Sequence, residues 1–207
     1  ATQSHKFFHQ NWINLTKQFQ LTQRLAKQII LQCPDCQLTG MSPPSTGVNP
    51  RGLEPNQLWQ TDVTHIPEFG KLRYVHVSID TNSHLISTHA LPGESTRYVI
   101  KHLLLTFAFM GQPTKIKTDN GPAYASSQFQ QFCHMWNIQH STGIPYNPQG
   151  QAIVECAHST LKNMLRKQKR GNMSKDPATL LAQALFTLNF LNLNDKFQSA
   201  IEKLPLF

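Results

Sequence analysis

The stretch TGMSPPSTGVNPRGLEPNQ, residues 39–57, carries four Pro and three Gly, so neither a helix nor a central strand can run through it. It reads as an extended linker and obliges the chain to fold as two units. Residues 1–38 are polar and helical in pattern, with no Gly and a single Pro at position 34. From Leu58 onward, strand patterns alternate with helix patterns. Strands are expected at 58–66, 72–79, 84–90, 115–118 and 138–142, and helices at 95–109, 126–136, 151–170 and 177–193. Three early strands followed by strand–helix alternation predict an α/β fold, a mixed sheet flanked by helices.

The small unit is too short to be held by its apolar core alone. His5 and His9 lie one helical turn apart, so both imidazoles can leave one face. Cys33-Pro34-Asp35-Cys36 adds a CxxC knuckle, and the full spacing is H-x3-H-x23-C-x2-C. Two nitrogens and two thiolates make a closed tetrahedral set for one structural Zn²⁺, which supplies the missing stability. Phe7, Phe8, Trp12, Leu15, Phe19, Leu21, Leu25, Ile29 and Ile30 are expected to cover it as a helical bundle. The competing reading is two incidental His beside a redox CxxC. That all four ligands precede one linker favours zinc.

In the larger unit, WQTDVTHI (59–66) is a strand pattern with an acid inside it. Asp is disfavoured in strands, and an ionised carboxylate there is costly unless paired. Asp119, in KIKTDNGPAY, falls at the carboxyl end of a short strand, where open α/β sheets place catalytic groups. Glu155 opens a helix with Val154, Ala157, Leu161 and Met164/Leu165 on one stripe. Glu155, His158, Lys162, Arg166 and Lys169 occupy another. Taken singly, Asp119 reads as a turn residue, Glu155 as a salt-bridge partner, and Asp62 as an edge-strand acid. Taken together, three converging carboxylates would repel, and hard divalent cations such as Mg²⁺ resolve that repulsion. Metal is then the expected partner of Asp62.

Charge narrows the partners. The net charge is +8 and the pI about 9.5, a balance that suits a polyanion such as nucleic acid or an acidic membrane surface, with mere solubility as the competing reading. No apolar run approaches the ~20 residues that span a bilayer, and the N-terminus has no signal-peptide core, so no membrane partner is expected. Four Cys do not suggest a disulfide scaffold.

The pattern resembles a retroviral integrase. Asp62, Asp119 and, after thirty-five intervening residues, Glu155 follow the family's D…D-x35-E arrangement. WQTDVTH, KTDNGPAY and GIPYNPQGQAIVE resemble its signatures, and VNPRGLEPNQLWQTDVTHIPEFGKLRYVHVSIDT resembles betaretroviruses and related endogenous elements. The resemblance implies an RNase H-like core with a five-stranded mixed sheet (58–207), behind a three-helix HHCC zinc domain (1–38) and a linker (39–57). The C-terminal β-barrel usual in the family is not expected in a chain ending IEKLPLF. It further implies a polynucleotidyl transferase that processes viral DNA 3′ ends and joins them to target DNA with two Mg²⁺ or Mn²⁺ ions. By position, Asp62, Asp119 and Glu155 match the metal-binding acids. Tyr146 and Gln151 match loop residues near the viral DNA end, Lys162 matches a DNA-contacting helix lysine, and Arg166 lies along the same track. Thr64, His65 and Asn120 match active-site neighbours. The implied partners are viral DNA ends, host target DNA and further copies of the chain, in the virion, then the cytoplasm and the host nucleus. The second reading is an endogenous remnant that binds DNA or multimerises without catalysis.

Overall fold

A computed structural model of the chain describes residues 1–38, 51–143, 151–169, 176–194 and 198–204. It divides into two compact units, Gly47–His158, and Ala1–Thr46 with Ser159–Phe207.

The sheet lies in Gly47–His158. Its strands are β1 (Leu58–His65), β2 (Tyr74–Asp80), β3 (Ile86–Leu91), β4 (Lys115–Thr118) and β5 (Gln139–Thr142). They run in the order β3-β2-β1-β4-β5, antiparallel from β1 to β3 and parallel from β1 to β5. The predicted mixed, five-stranded, RNase H-like sheet is therefore present. The first four residues of β1 are buried on both faces, as suits a central strand.

One face of β1 is polar inside as well as apolar. The Thr61 hydroxyl bonds Ser78 Oγ at 2.9 Å, and Ser78 meets His102 Nε2 at 2.8 Å. His102 Nδ1 lies 2.7 Å from His89 Nδ1, so one ring donates and the other accepts. Burial first, and the neighbouring imidazoles second, hold His102 well below the ordinary histidine range, and His89 is lowered to about 4 by the same causes with Lys101. Both rings stay neutral.

The helical unit begins with α1 (Thr2–Phe8), α2 (Trp12–Phe19), α3 (Gln23–Leu31) and the one-turn α4 (Pro34–Leu38). Asn11 caps α2 by accepting from Asn14 N at 3.0 Å, and Thr22 caps α3. Leu15 is buried as expected, but Phe7 and Leu25 are exposed, and Ile13 and Ala26 fill the core instead. Further helices are α5 (Thr96–Met110), α6 (Pro122–Ala125), α7 (Ser127–Met135), α8 (Ala152–Lys169) and α9 (Pro177–Phe186). α8 gives its residues through His158 to the sheet unit and the rest to the helical unit. The helix expected over 177–193 stops being α-helical at Phe186 and continues as a π turn, Thr187–Leu191. This segment sits with α1 and α2: Asn11 Nδ2 donates to Leu193 O at 2.7 Å, and the rings of Phe8 and Phe186 are 5.8 Å apart. Grouping in space thus differs from grouping along the chain. No helix among the described residues is long and apolar enough to cross a membrane.

Candidate metal centre and active site

The four expected zinc ligands come together. One ligand atom from each of His5, His9, Cys33 and Cys36 lies within 4.8 Å of the other three. Cys36 Sγ is 3.4 Å from His5 Nε2 and 3.6 Å from His9 Nδ1, and Cys33 Sγ is 3.6 Å from His9 Nδ1. A tetrahedral Zn²⁺ with its usual bond lengths sets sulfur–nitrogen edges at roughly 3.5 Å, so the donor set fits the ion. His9 is not inside the helix, as the four-residue spacing suggested. It caps α1 in the left-handed region (φ 54°), and its N–H donates to His5 O at 2.7 Å. His5 Nδ1 lies 3.1 Å from Gln10 O, so it carries the proton and leaves Nε2 as the free lone pair. Burial lowers His5 to about 4, and burial raises the Cys36 thiol to about 11. His5 is thereby kept neutral and the Cys36 thiol protonated until a cation displaces the proton.

The acids are placed by register. β1 and β4 pair in parallel at Leu58↔Lys115, Trp59↔Ile116 and Gln60↔Lys117. Continuing that register two places brings Asp62 level with Asp119, just beyond the end of β4. Glu155 reaches the same neighbourhood through α8. Gln60, fully buried on the Asp62 face, accepts from Val154 N at 3.0 Å, and His158 Nδ1 lies 3.9 Å from Asp62 Oδ2. Val154 and His158 are one helical turn apart, and Gln60 and Asp62 are successive residues on one strand face. The first turns of α8 therefore run along β1, with Glu155 between the two contacts.

The carboxylates are neighbours but are not gathered. Asp62 Oδ1 accepts from Val63 N at 2.7 Å, and Asp119 Oδ1 accepts from Gly121 N at 2.9 Å, the turn contact its Asn-Gly sequence suggested. Glu155 is exposed and takes part in neither ion pair among the described residues. Among those residues, only the His5–Cys36 set stands close enough to hold an ion as it is. Asp62 nevertheless feels the others. Burial raises it to about 6, against the Val63 hydrogen bond, with Asp119 and Glu155 pushing the same way as burial. Oxygen donors whose negative charges disfavour one another suit a hard divalent cation, which offsets that repulsion.

The neighbours matched by resemblance divide. Thr64 is buried, and His65 pairs with Glu94 at 3.4 Å on the surface. Asn120 Nδ2 donates to Gly143 O at 3.1 Å, while Gly143 N donates to Thr118 O at 2.9 Å, which fastens the chain after β5 to the end of β4. Tyr146 and most of the Gly143–Gly150 loop lie outside the described residues. Gln151 is half-buried just before α8. On α8 beyond His158, Lys162 is half-buried, and Arg166 is exposed and donates to Asn163 Oδ1 at 3.1 Å. Gln60 was not singled out from sequence. A glutamine on the Asp62 face of a fully buried strand was the available signal.

Comparisons with known proteins bear on both metal groups. The integrase zinc binding domain family matches residues 1–38, and the integrase core domain family matches residues 52–148. The Gag-Pro-Pol polyprotein of sheep pulmonary adenomatosis virus is 52% identical over 205 residues, 98% of this chain. That of mouse mammary tumor virus (strain BR6) is 50% identical over 203 residues, again 98% of this chain. The chain spans about 12% of the length of either polyprotein. The simian T-cell lymphotropic virus intasome, solved with the PP2A regulatory subunit B56 gamma, superposes with a TM-score of 0.81 at 31% identity, over 99% of this chain and 72% of that one. The HTLV-2 integrase catalytic core domain, solved in complex with magnesium in a dimeric form, gives 0.66 at 34% identity, over 74% of this chain and 99% of that one.

Proposed function

The chain belongs to the retroviral integrase family, and from that premise we propose that it catalyses two phosphoryl transfers on DNA. In the first, water cleaves a phosphodiester near the 3′ end of viral DNA. In the second, the freed 3′-hydroxyl attacks a phosphodiester of host target DNA. Each transfer forms one P–O bond and breaks another, with the proton of the attacking oxygen lost and the leaving oxygen protonated. No covalent enzyme intermediate is needed. The observation that carries this reading is the register that sets Asp62 level with Asp119, with Glu155 held beside them by the Gln60–Val154 hydrogen bond.

Asp62, Asp119 and Glu155 are the catalytic carboxylates and would hold two Mg²⁺ or Mn²⁺ ions, which supply a lower pKa at the attacking oxygen and charge neutralisation at the phosphate. The HTLV-2 relative's complex with magnesium supports the choice of ion. The chain's own work is alignment. β1, β4 and α8 fix the acids, Gln60 fixes the turn that carries Glu155, and Tyr146, Gln151, Lys162 and Arg166 hold the DNA. His5, His9, Cys33 and Cys36 hold one structural Zn²⁺.

Residues 1–38 act as the zinc domain, 39–57 as linker and 58–207 as catalytic core. One site joins one DNA end, so paired joining needs a homo-multimer, a reading supported by the dimeric and trimeric forms of the HTLV-2 relative. The chain acts in the virion-derived complex, passing through the cytoplasm to the nucleus. Labelled duplex DNA with a viral end, incubated with the chain and Mg²⁺ or Mn²⁺, tests the reading. It expects a shortened 3′ strand and longer joined strands, both lost in Glu155→Gln. A chain that binds the duplex but leaves it uncut overturns the catalytic reading and favours the remnant that only binds.

A further inference from the structure

Tyr124 lies in α6, three residues past the Asp119–Asn120–Gly121 turn, and only 3% of it is exposed. Its backbone N–H donates to Gly121 O at 3.0 Å, so the residue is tied to the turn whose own N–H holds Asp119. The ring meets Phe129 edge-on, with centroids 5.4 Å apart at 78°, which fixes its direction. Yet the buried hydroxyl has no hydrogen-bond partner among the described residues. A buried phenol without a partner is uncommon and asks for a reason.

The surroundings supply one. Burial first, then Asp62, Asp119 and Glu94, hold the phenol well above its ordinary range, so it remains a donor. The charges that act on it belong to acceptors with room for another donor: each of Asp62 and Asp119 takes one backbone N–H on Oδ1, His158 Nδ1 stands 3.9 Å from Asp62 Oδ2, and an ionised carboxylate offers about four lone-pair sites. Carboxylates that ligate a metal are commonly steadied by a hydrogen bond from behind, and losing that bond weakens the metal.

We propose that Tyr124 is a positioning residue of the acid site, whose hydroxyl donates to the Asp62–Asp119 pair when that pair turns to hold a divalent cation. The assignment rests on the integrase reading above. The hydroxyl has no role in the cation-free fold and gains one on loading. It orients the carboxylates, it touches neither DNA nor the reacting phosphate, and it accounts for a polar atom left bare in the interior.

Tyr124→Phe removes one oxygen and keeps the ring. Zinc-loaded wild type, Tyr124→Phe and a Glu155→Gln blank are titrated with Mn²⁺, with free ion followed by electron paramagnetic resonance. Melting is followed with and without Mn²⁺. Tyr124→Phe is expected to melt no lower than wild type without Mn²⁺, to bind Mn²⁺ roughly tenfold more weakly, and to gain less in melting temperature from it. Equal Mn²⁺ affinity in the two proteins overturns the assignment and leaves the acid site standing. A Tyr124→Phe protein that melts lower before any Mn²⁺ is added also overturns it, because the hydroxyl then already has a partner. A wild type that binds no more Mn²⁺ than the blank overturns both readings.

Discussion

In residues 1–38 the four ligand atoms already stand within 4.8 Å of one another, whereas Asp62 and Asp119 turn an oxygen to backbone N–H groups and Glu155 faces solvent. Both groups have the chemistry of a metal site, and the difference follows from charge. Burial keeps His5 neutral and the Cys36 thiol protonated, so the zinc set can be brought together without repulsion. Carboxylates are charged at neutral pH, and gathering three of them before a cation arrives is unfavourable. Burial first, with the charges of Asp119 and Glu155 adding to it, already raises Asp62 to about 6. A structural site is folded to completion, and an acid site is folded to the brink.

The largest effect should come from removing zinc. Zinc binding in such small units is worth on the order of 10 kcal/mol, and the short helices of residues 1–38 have few fully buried apolar residues to replace it. Adding a chelator, or changing Cys36→Ser, should remove amide-exchange protection from α1–α3 while β1, β2 and β3 keep theirs. Multimer formation and paired joining should be lost first. Equal loss of protection in both regions would contradict the comparison.

A smaller effect separates the two sets by pH. With zinc bound, His5 and His9 no longer titrate, which leaves His76, His89, His102 and His140, all lowered chiefly by burial. The unfolded chain takes up protons below about 6.5, while in the fold His89 stays neutral to about 4 and the other rings titrate below their ordinary value, so stability should fall as pH drops through that window. Asp62 works the other way: its folded value near 6 lies above the unfolded one, so its cost eases as pH falls through 6. Unfolding free energies from urea titrations at pH 7, 6, 5 and 4.5 should decline by on the order of 1 kcal/mol per pH unit. In Asp62→Asn the decline should be steeper. A flat or rising profile would break the account of the buried histidines.

The smallest effect concerns DNA. Lys162→Ala should lower the log–log slope of DNA affinity against salt by roughly 0.7–0.9, the loss of one phosphate contact. An unchanged slope and affinity would remove this part of α8 from the DNA track.

The strands were legible because alternation and β-branched residues mark them. KIKT is β4 at the expected bounds, and the zinc spacing named its four ligands. What stayed hidden depends on partners remote in sequence. Gln60 meets Val154 across 94 positions, and no local pattern shows that α8 is fastened to β1. Apolar character alone places Phe7 and Leu25 inside, but helices of seven to nine residues show only one stripe to a small core, and Ile13 and Ala26 take it. The apolar run after Phe186 reads equally well as α- or π-helix, since hydropathy does not encode whether an N–H reaches back four residues or five. Asp119 was readable both as a turn residue and as a catalytic acid, and without a cation it is placed as the former.

Asp62→Asn decides whether the buried acid burdens the fold because it serves a metal. Melting temperature, DNA affinity and strand transfer are measured on the same preparation. The variant should be at least as stable as wild type, because a buried, repelled charge is gone, with DNA affinity retained and both cleavage and joining abolished. A variant that melts lower yet still joins DNA would show Asp62 to be a structural acid and would contradict a metal role.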